Sequence, residues 1–332
     1  METTAVPAPA AHRIHLLPSG AGFECGAEET LLDAALRQGL LLPHQCKTGT
    51  CGSCRATDAA DGRALLLCQV RPATDMTLDA TVLAEGQVVR KLPVRVLRLQ
   101  RLADDVVALF LQPPEGREMA FRPGQYVDVL LPRGLRRSYS LAARPEAGAV
   151  LELHVRHRRG GTFTEQVFER MKERDVLRLE GPYGACGRKV DGDKPLLLLA
   201  TGTGFAPVKA VVEHAIATGS QRPMTLYWGG RTLADLYQHT LCKAWAAAHP
   251  WLVYRPVLSR ATPGHAWGGR TGRIHHAAMA DFQDLSAYEV YACGSPAMVD
   301  EARAVLCSQR GLSADAFHAD AFTTAAVPAA VA

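Results

Sequence analysis

Hydrophobic and polar residues alternate along the middle of the chain from Lys91 onward, where Leu92, Val94 and Val96 fall on one face. The segments VVALFLQP, GQYVDVLLP, SYSLAA and VLELHVRH follow, separated by stretches that contain Gly and Pro. A period of two is typical of half-buried strands, and several short strands at this spacing predict an antiparallel barrel. One helix, over residues 162–171, is expected to interrupt the strands.

The pattern changes after Asp193, where apolar strands alternate with helical stretches. The predicted strands are PLLLLA, MTLYWGG, LVYRPVLS, YEVYACG and FHADAF, and helices are expected over residues 206–218, 234–248, 272–281 and 296–310. This alternation predicts a parallel sheet with helices on both faces. Sheets of this kind usually bind a nucleotide at the carboxyl ends of their strands.

The first part of the chain carries its own start and stop signals. A strand is expected near Arg13–Leu17 and a helix over Leu31–Gln38. Thr30 is the expected N-cap of this helix, with Asp33 three residues later, and Gly39 is its expected stop. These signals predict a small compact unit that folds separately from the barrel.

The predicted elements divide the chain into three domains between two irregular ends. Residues 1–12 and 323–332 are rich in Ala, Pro and Thr and are expected to be unstructured. Between them, the sequence predicts a multidomain protein of α+β and α/β class, with domains over residues 13–85, 90–190 and 193–322.

Composition narrows the classes of protein that fit. The chain has 332 residues, of which 48% are hydrophobic and 21% charged, as in a folded globular protein. Its net charge of +4 comes without a long basic run, so nucleic-acid binding is not expected. No apolar stretch approaches the roughly 18 residues of a membrane span, and the start lacks the pattern of an export signal. The sequence therefore predicts a cytoplasmic protein.

Four of the nine cysteines crowd into a short segment: Cys46, Cys51, Cys54 and Cys68. Their spacing, C-x4-C-x2-C and then a fourth cysteine, is that of plant-type [2Fe–2S] ligation. Gly49 allows the backbone to fold tightly around the inorganic core. A structural zinc site is the alternative, because four thiolates also suit zinc. Of the other cysteines, all but Cys293 are expected to be small buried residues.

The cysteine segment also carries a resemblance to a known family. QCKTGTCGSC followed by LLLCQVRPATDMTLD resembles the ferredoxin domain of the reductases that serve bacterial ring-hydroxylating and other oxygenases. The resemblance extends over nearly the whole chain and implies a β-grasp plant-type ferredoxin, an FAD-binding barrel and an NAD-binding α/β domain. One departure is the segment between Cys54 and Cys68, residues 55–67, which is about half the length usual in the family and is expected to lack a helix.

A second motif, RSYS at residues 137–140, resembles the R-x-Y-S motif of the ferredoxin–NADP reductase superfamily. The guanidinium of Arg137 suits the flavin phosphate, Tyr139 offers a face for the isoalloxazine, and Ser140 offers a hydroxyl near the redox nitrogen. Backbone amides at the following helix start suit the pyrophosphate. FAD is expected, with FMN as the alternative. The predicted flavin residues are Arg137, Ser138, Tyr139, Ser140, His154, Gly161, Thr162 and Thr164.

The turn after the first nucleotide-domain strand, ATGTGFAP, resembles the family's G-G-T-G-x-A-P, with Thr201 in place of the first glycine. Its glycines allow phosphates to approach the backbone. The resemblance places Cys293 beside the nicotinamide and likens Phe322 to the family's C-terminal aromatic residue that covers the flavin, although a core position is the alternative for Phe322. The remaining predicted cofactor-binding residues are Thr201, Gly202, Thr203, Gly204, Pro207, Arg231, Cys293, Gly294 and Phe322. The predicted catalytic residues are Tyr139, Ser140 and Cys293.

Electron counting orders the predicted cofactors. Nicotinamide delivers an electron pair and the cluster accepts one electron, so a flavin must stand between them. The sequence thus predicts an NADH-dependent reductase that passes electrons to a partner protein. RSYS, LHVRH, GGTF and FHAD most resemble reductases of aromatic-carboxylate dioxygenases such as terephthalate dioxygenase, which implies a terminal oxygenase of aromatic catabolism as partner. Acceptors of the phenol hydroxylase or deoxysugar dehydratase type, and a non-enzymatic zinc or redox-sensing module, are the alternatives.

Overall fold

The computed structural model describes residues 11–44, 47, 49, 52, 54–80, 82, 89–146, 150–184, 192–261 and 267–322. They divide into two compact units, one within Met1–Val88 and one within Val89–Ala332. Cys46 and Cys51, two of the predicted cluster ligands, lie outside the described residues. The predicted bounds of the three domains stay predictions.

The first unit is a five-stranded mixed sheet crossed by one helix. Its elements are β1 (Ala11–Leu17), β2 (Gly22–Gly26), α1 (Leu31–Arg37), β3 (Arg55–Asp58), β4 (Ala64–Leu66) and β5 (Met76–Asp79). The strand order is β2-β1-β5-β3-β4, with β1 and β5 parallel and the other pairs antiparallel. This topology confirms the predicted ferredoxin fold. Strand β1 begins at Ala11, so the prediction that residues 1–12 are unstructured is wrong for residues 11 and 12, and residues 1–10 lie outside the described residues.

Helix α1 forms where its signals predicted it. The Thr30 hydroxyl accepts a hydrogen bond from the Asp33 amide, and the helix ends one residue before the predicted Gln38. Gly39 follows with φ of +81°, a conformation that ends helices and favours glycine. The buried face of the helix packs on the sheet to form the core of this unit; it consists of Leu31, Leu32, Ala34 and Ala35.

The second unit begins with the predicted antiparallel barrel. Its strands are β6 (Arg90–Ala103), β7 (Val106–Gln112), β8 (Tyr126–Leu130), β9 (Arg136–Ser140), β10 (Leu151–Arg156) and β11 (Val176–Tyr183). Their order is β10-β7-β6-β11-β8-β9, and every pair is antiparallel. A bridge between Leu141 and Leu153 connects the two outer strands, so the sheet curls towards closure. The row Leu92, Val94 and Val96 is buried, as the period of two predicted.

The helix predicted over residues 162–171 has two parts. Helix α2 (Thr162–Glu165) is one turn long and continues as a π-helical turn over Gln166–Arg170. Strand β11 lies between β6 and β8 in the sheet. This strand was not predicted from the sequence, although its Leu177 and Leu179 alternate with polar residues.

The nucleotide sheet completes the second unit. Its strands are β12 (Leu196–Thr201), β13 (Met224–Gly230), β14 (Leu252–Leu258), β15 (Arg270–Thr271), β16 (Glu289–Gly294) and β17 (Phe317–Ala321). Its helices are α3 (Phe205–Ala217), α4 (His239–Ala248), α5 (Ile274–Asp281) and α6 (Pro296–Gln309). All strand pairs are parallel, in the order β15-β14-β13-β12-β16-β17, which confirms the predicted α/β texture.

The strand order reverses direction beside β12. The chain moves from β12 to β13 and β14 on one side and later returns to add β16 and β17 on the other side. Such a reversal leaves a crevice at the carboxyl ends of the strands, here between β12 and β16, where ligands bind in open α/β sheets. None of the helices formed by the described residues is long and apolar enough to cross a membrane.

Candidate functional site

Two of the predicted cluster cysteines lie side by side in the first unit. Cys54 precedes β3 and Cys68 follows β4, so the antiparallel pairing of these strands brings the two residues together. Their Sγ atoms are 3.3 Å apart and both residues are buried. This separation exceeds the roughly 2.05 Å of a disulfide bond. Two buried thiols at this distance fit two ligands of one metal centre.

The short segment between these cysteines is a β-hairpin. Strands β3 and β4 occupy most of residues 55–67, and the described residues between Cys54 and Cys68 contain no helix. The hairpin thus accounts for the reduced spacing while keeping the ends of the segment close. Gln69 supports the site because its Nε2 donates to the Cys68 carbonyl at 2.8 Å.

The loop before Cys54 requires glycine at a defined place. Gly49 has φ of +84°, and a Cβ there would lie 3.0 Å from Cγ of Gln69. A side chain at Gly49 would therefore meet both backbone strain and a close contact. Gly49 therefore lies beside Gln69, the neighbour of Cys68.

The flavin motif on β9 contains two adjacent arginines with different partners. Arg136 forms ion pairs with Asp128 at 3.4 Å and with Glu180 at 2.9 Å. Arg137 faces the other way, and within the described chain its side chain donates only to the Arg136 carbonyl, at 2.7 Å. Arg137 thus has no carboxylate partner among the described residues, so its charge is available to an anion.

The other three residues of RSYS, Ser138, Tyr139 and Ser140, each contact another side chain of the protein. Ser138 Oγ donates to Asp128 at 2.6 Å. The Tyr139 ring lies 5.4 Å from that of Phe163, and burial raises the pKa of its hydroxyl, which therefore stays protonated. Ser140 Oγ donates to Asp320 Oδ2 at 3.1 Å, which links the end of β9 to β17 of the nucleotide sheet.

The start of α2 is closely packed against the preceding loop. A Cβ at Gly161 would lie 2.6 Å from the Thr164 hydroxyl, so no side chain fits there. Thr164 accepts from the Arg158 amide at 3.2 Å and lies 2.9 Å from the Arg158 carbonyl. Thr164 therefore stabilises the loop that precedes α2. Thr162, by contrast, is exposed.

His154 is buried and has protein partners on both ring nitrogens. Nε2 lies 2.9 Å from Glu152 Oε1, and Nδ1 lies 2.9 Å from the Tyr237 hydroxyl. Tyr237 lies in the turn before α4 of the nucleotide-binding part, so His154 connects this turn to the barrel. A contact between His154 and the flavin stays a prediction.

The nucleotide turn meets the end of β16 at very close range. Thr201 ends β12, and Gly202, Thr203 and Gly204 form one 3-10 turn that leads into α3. A Cβ at Gly204 would lie 2.2 Å from the Cys293 carbonyl, so only glycine allows this approach. A ligand at this turn would face backbone without intervening side chains, which fits phosphate groups.

The residues at the end of β16 complete this edge. A Cβ at Gly294 would lie 2.1 Å from the Thr201 hydroxyl oxygen, and the Phe322 amide donates to the Gly294 carbonyl at 2.7 Å. Cys293 has no exposed surface and belongs to the hydrophobic core of the nucleotide sheet. Pro207 is buried in the first turn of α3.

Arg231 follows β13 and forms an ion pair with Asp235, at 3.1 Å. Asp235 also accepts the amides of Arg231 and Thr232, at 2.9 and 3.1 Å, and the guanidinium of Arg156 from the barrel at 3.2 Å. Burial alone would raise the pKa of Asp235, but the hydrogen bonds from Arg231 and Thr232 lower it. The helix predicted over residues 234–248 therefore begins later: Asp235 closes a 3-10 turn, and α4 starts at His239.

Sequence reasoning missed several charged residues at the contact between barrel and nucleotide sheet. Asp320, Glu152 and Lys209 are each buried there. Each stands in a largely apolar strand or helix, in FHADAF, VLELHV and FAPVKAVV respectively. A charged residue in such a run is almost never buried unless it is paired, and that is the signal that could have identified them.

Three family models match the chain. The 2Fe-2S iron-sulfur cluster binding domain matches residues 14–73, the oxidoreductase FAD-binding domain residues 93–187, and the oxidoreductase NAD-binding domain residues 198–304. The predicted cofactors, a [2Fe–2S] cluster, FAD and NADH, are confirmed at the level of these domains.

Known proteins resemble the chain over nearly its full length. Protein RfbI of Salmonella typhimurium is 37% identical, over 94% of this chain and 97% of that protein. CDP-6-deoxy-L-threo-D-glycero-4-hexulose-3-dehydrase reductase of Yersinia pestis is 36% identical, over 93% and 98%. Terephthalate 1,2-dioxygenase reductase component 2 of Comamonas sp is 33% identical, over 94% and 98%.

A solved structure agrees with this likeness. The Amycolatopsis cytochrome P450 reductase GcoB superposes with a TM-score of 0.78 and 30% identity, covering 94% of this chain and 99% of that one. The fold, the three matched domains and the full-length relatives lead to one conclusion: the chain is an oxidoreductase that belongs to the ferredoxin–NADP reductase family, among the iron–sulfur flavoprotein reductases that serve as reductase components.

Proposed function

We propose that the chain takes electrons from NADH and passes them through FAD and a [2Fe–2S] cluster to the terminal oxygenase of an aromatic-degrading system. The observation that carries this proposal is the presence of all three cofactor domains in one chain whose full-length relatives include a terephthalate dioxygenase reductase. The proposal assigns the cluster to residues 13–85, FAD to 90–190 and the nucleotide to 193–322. It includes a cytoplasmic location, where thiols stay reduced.

The cluster is proposed to be held by four thiolates. Cys54 and Cys68, 3.3 Å apart and buried, support this assignment, and Cys46 and Cys51 supply the remaining pair. Bonds to a cluster would hold these thiols deprotonated, and the burial of Cys54 and Cys68 would exclude water from their side of the site.

On the flavin side, Arg137 binds a phosphate because its charge has no carboxylate partner among the described residues. Tyr139 packs on Phe163 and presents a protonated hydroxyl and a ring face. Ser140 Oγ donates to Asp320, and this bond fixes the orientation of the hydroxyl that would lie near a bound flavin. The bound flavin supplies the exchange between paired and single electrons.

On the nucleotide side, the turn from Thr201 to Gly204 offers bare backbone to the phosphates, with Gly294 opposite it. Arg231, exposed and tied to Asp235, lies where the adenosine ribose is expected. Phe322 follows β17 and donates its amide to the Gly294 carbonyl, and Cys293 precedes Gly294 on β16. We assign Phe322 as the ring-covering aromatic residue and Cys293 as the nicotinamide neighbour.

A second acceptor class has support of its own. The identity to the deoxyhexulose dehydrase reductase, 36%, exceeds the 33% to the terephthalate dioxygenase reductase. The alternative acceptor is therefore a deoxysugar dehydratase.

Reconstitution with purified acceptors tests both proposals. We expect NADH oxidation to be coupled to product formation when a terminal aromatic-ring oxygenase is added, and to be uncoupled when a deoxysugar dehydratase is added. The reverse result would replace the proposed acceptor. Comparing acceptors encoded beside this chain with unrelated ones provides the control for non-specific transfer.

A further inference from the structure

A buried lysine connects the nucleotide sheet to the barrel. Lys209 is the fifth residue of α3, and only 8% of its surface is exposed. Its Nζ donates to Glu152 Oε2 at 2.8 Å, to the Ala142 carbonyl at 3.2 Å and to Glu213 Oε2 at 2.9 Å. Two of these acceptors belong to the barrel and one to α3 itself. All three donors of the ammonium group are thus used.

The carboxylate of Glu152 also binds His154, which in turn contacts Tyr237. Burial lowers the pKa of His154, so its ring is neutral and carries one proton. The Glu152 carboxylate can only accept, so this proton is on Nε2, and the Tyr237 hydroxyl donates to Nδ1. Burial alone would raise the pKa of Glu152, but His154 and Lys209 lower it to about 2. Glu152 is therefore a charged centre bound to both Lys209 and His154.

Lys209 lies close to the nucleotide turn in sequence, and it binds the chain just after the flavin motif. Ala142 lies two residues beyond Ser140, and Lys209 lies five residues beyond Gly204. The ammonium group thus ties the chain just after the flavin motif to the helix that begins at the nucleotide turn. A buried ion pair is weak evidence for stability, because desolvation offsets much of its attraction. The position of this ion pair, between the flavin motif and the nucleotide turn, points to control of geometry.

We propose that Lys209 is a positioning residue for hydride transfer, which fixes the nucleotide turn relative to the flavin motif through Glu152 and Ala142. This inference rests on the proposed function, because it needs the flavin beside RSYS and the nucleotide at the turn. A displacement of about 1 Å in such a geometry lowers a rate by up to about 100-fold.

Three variants distinguish the effect of the ion pair between Lys209 and the barrel from the effect of the ion pair within α3. Lys209→Met and Glu152→Gln each break the ion pair that joins barrel and nucleotide sheet. Glu213→Gln is the matched control, because it removes a bond to the same ammonium group but only within α3. We expect anaerobic flavin reduction by NADH to slow by about 10- to 100-fold in the first two variants and to stay unchanged in the third.

Two further measurements do not depend on turnover. The long-wavelength charge-transfer absorbance of reduced flavin with NAD+ should weaken in Lys209→Met, because it reports ring stacking. FAD content and affinity for ADP-ribose should stay unchanged. If Lys209→Met does not fold, the double variant Lys209→Met/Glu152→Gln removes both buried charges and carries the same expectation.

The inference would be overturned if Lys209→Met or the double variant showed the native rate of flavin reduction and the native charge-transfer absorbance. This holds even if the melting temperature of the variant were lowered. A slowed Glu213→Gln variant would also overturn it, because the effect would then belong to the helix. Failure of NADH to reduce the flavin of the native protein would instead overturn the proposed function.

Discussion

Arg136 and Arg137 are neighbours on β9, yet the fold gives them different surroundings. Alternation along a strand turns their side chains to opposite faces. Arg136 meets the carboxylates of Asp128 and Glu180, whereas Arg137 donates only to a backbone carbonyl within the described chain. The motif RSYS predicted which arginine to choose, and the structure supplies a physical reason for the choice.

We expect Arg137→Ala to release FAD. Loss of a charge-assisted bond to phosphate typically costs about 1.5–3 kcal/mol, which weakens binding by roughly 10- to 100-fold. Arg136→Ala is the matched control: it should lower the melting temperature, because Asp128 and Glu180 lose a partner, while flavin content stays near native. Flavin absorbance after gel filtration measures the flavin content of both variants. Full flavin content in Arg137→Ala would show that the phosphate lies elsewhere.

Removing a cluster ligand should separate two activities. Cys54→Ala is expected to abolish the visible spectrum of the cluster and transfer to the protein acceptor, while NADH still reduces small two-electron dyes. Cys25→Ala serves as the control, because Cys25 is a core residue of the same unit whose thiol pKa burial raises to about 11. Support of the acceptor by Cys54→Ala would contradict the proposed electron path.

At the scale of elements, local signals predicted most of the fold. Thr30 and Gly39 marked the ends of α1 to within one residue, and periodicity located the buried row on β6. Strand β15 has two residues and thus no period to recognise. Asp320 and Lys209 were missed because their partners, Ser140 and Glu152, are more than fifty residues away in sequence, so only the tertiary structure reveals the pairs.

The N-cap of α1 offers a direct test of the ferredoxin unit. Thr30→Ala should lower the free energy of unfolding of this unit by about 1 kcal/mol, because the Asp33 amide loses its acceptor. Thr30→Ser keeps a hydroxyl and should restore most of the stability. Loss of cluster absorbance during urea unfolding measures the change. Equal stability of Thr30→Ala and the native chain would show that the cap contributes nothing.

The turn after β13 bears on the choice of nucleotide. A site for a 2′-phosphate usually gathers more than one basic group, whereas Arg231 here is already paired with Asp235. The carboxylate of Asp235, the acidic residue of this turn, is engaged with Arg231, Thr232 and Arg156. We still expect NADH to be preferred, because no unpaired arginine remains in the described part of this turn. Equal or higher kcat/KM with NADPH in dye reduction would contradict this.

At the scale of the whole molecule, the sequence predicted three cofactor domains, and their presence sets the number of electrons that the protein can hold. A flavin accepts two electrons and a plant-type cluster one, so the native chain should take up three electrons. Anaerobic titration should therefore consume about 1.5 equivalents of NADH per protein, with bleaching of both flavin and cluster absorbance. A zinc site in place of the cluster would hold none of these electrons.

Cys54→Ala provides the matched comparison for this titration. It should consume about one equivalent of NADH, because only the flavin remains to be reduced. The difference of about half an equivalent measures the cluster directly and needs no knowledge of the acceptor. Native protein that stops at one equivalent with its cluster still oxidised would show that the cluster is not reduced through the flavin, and the proposed order of electron transfer would fail for any protein partner.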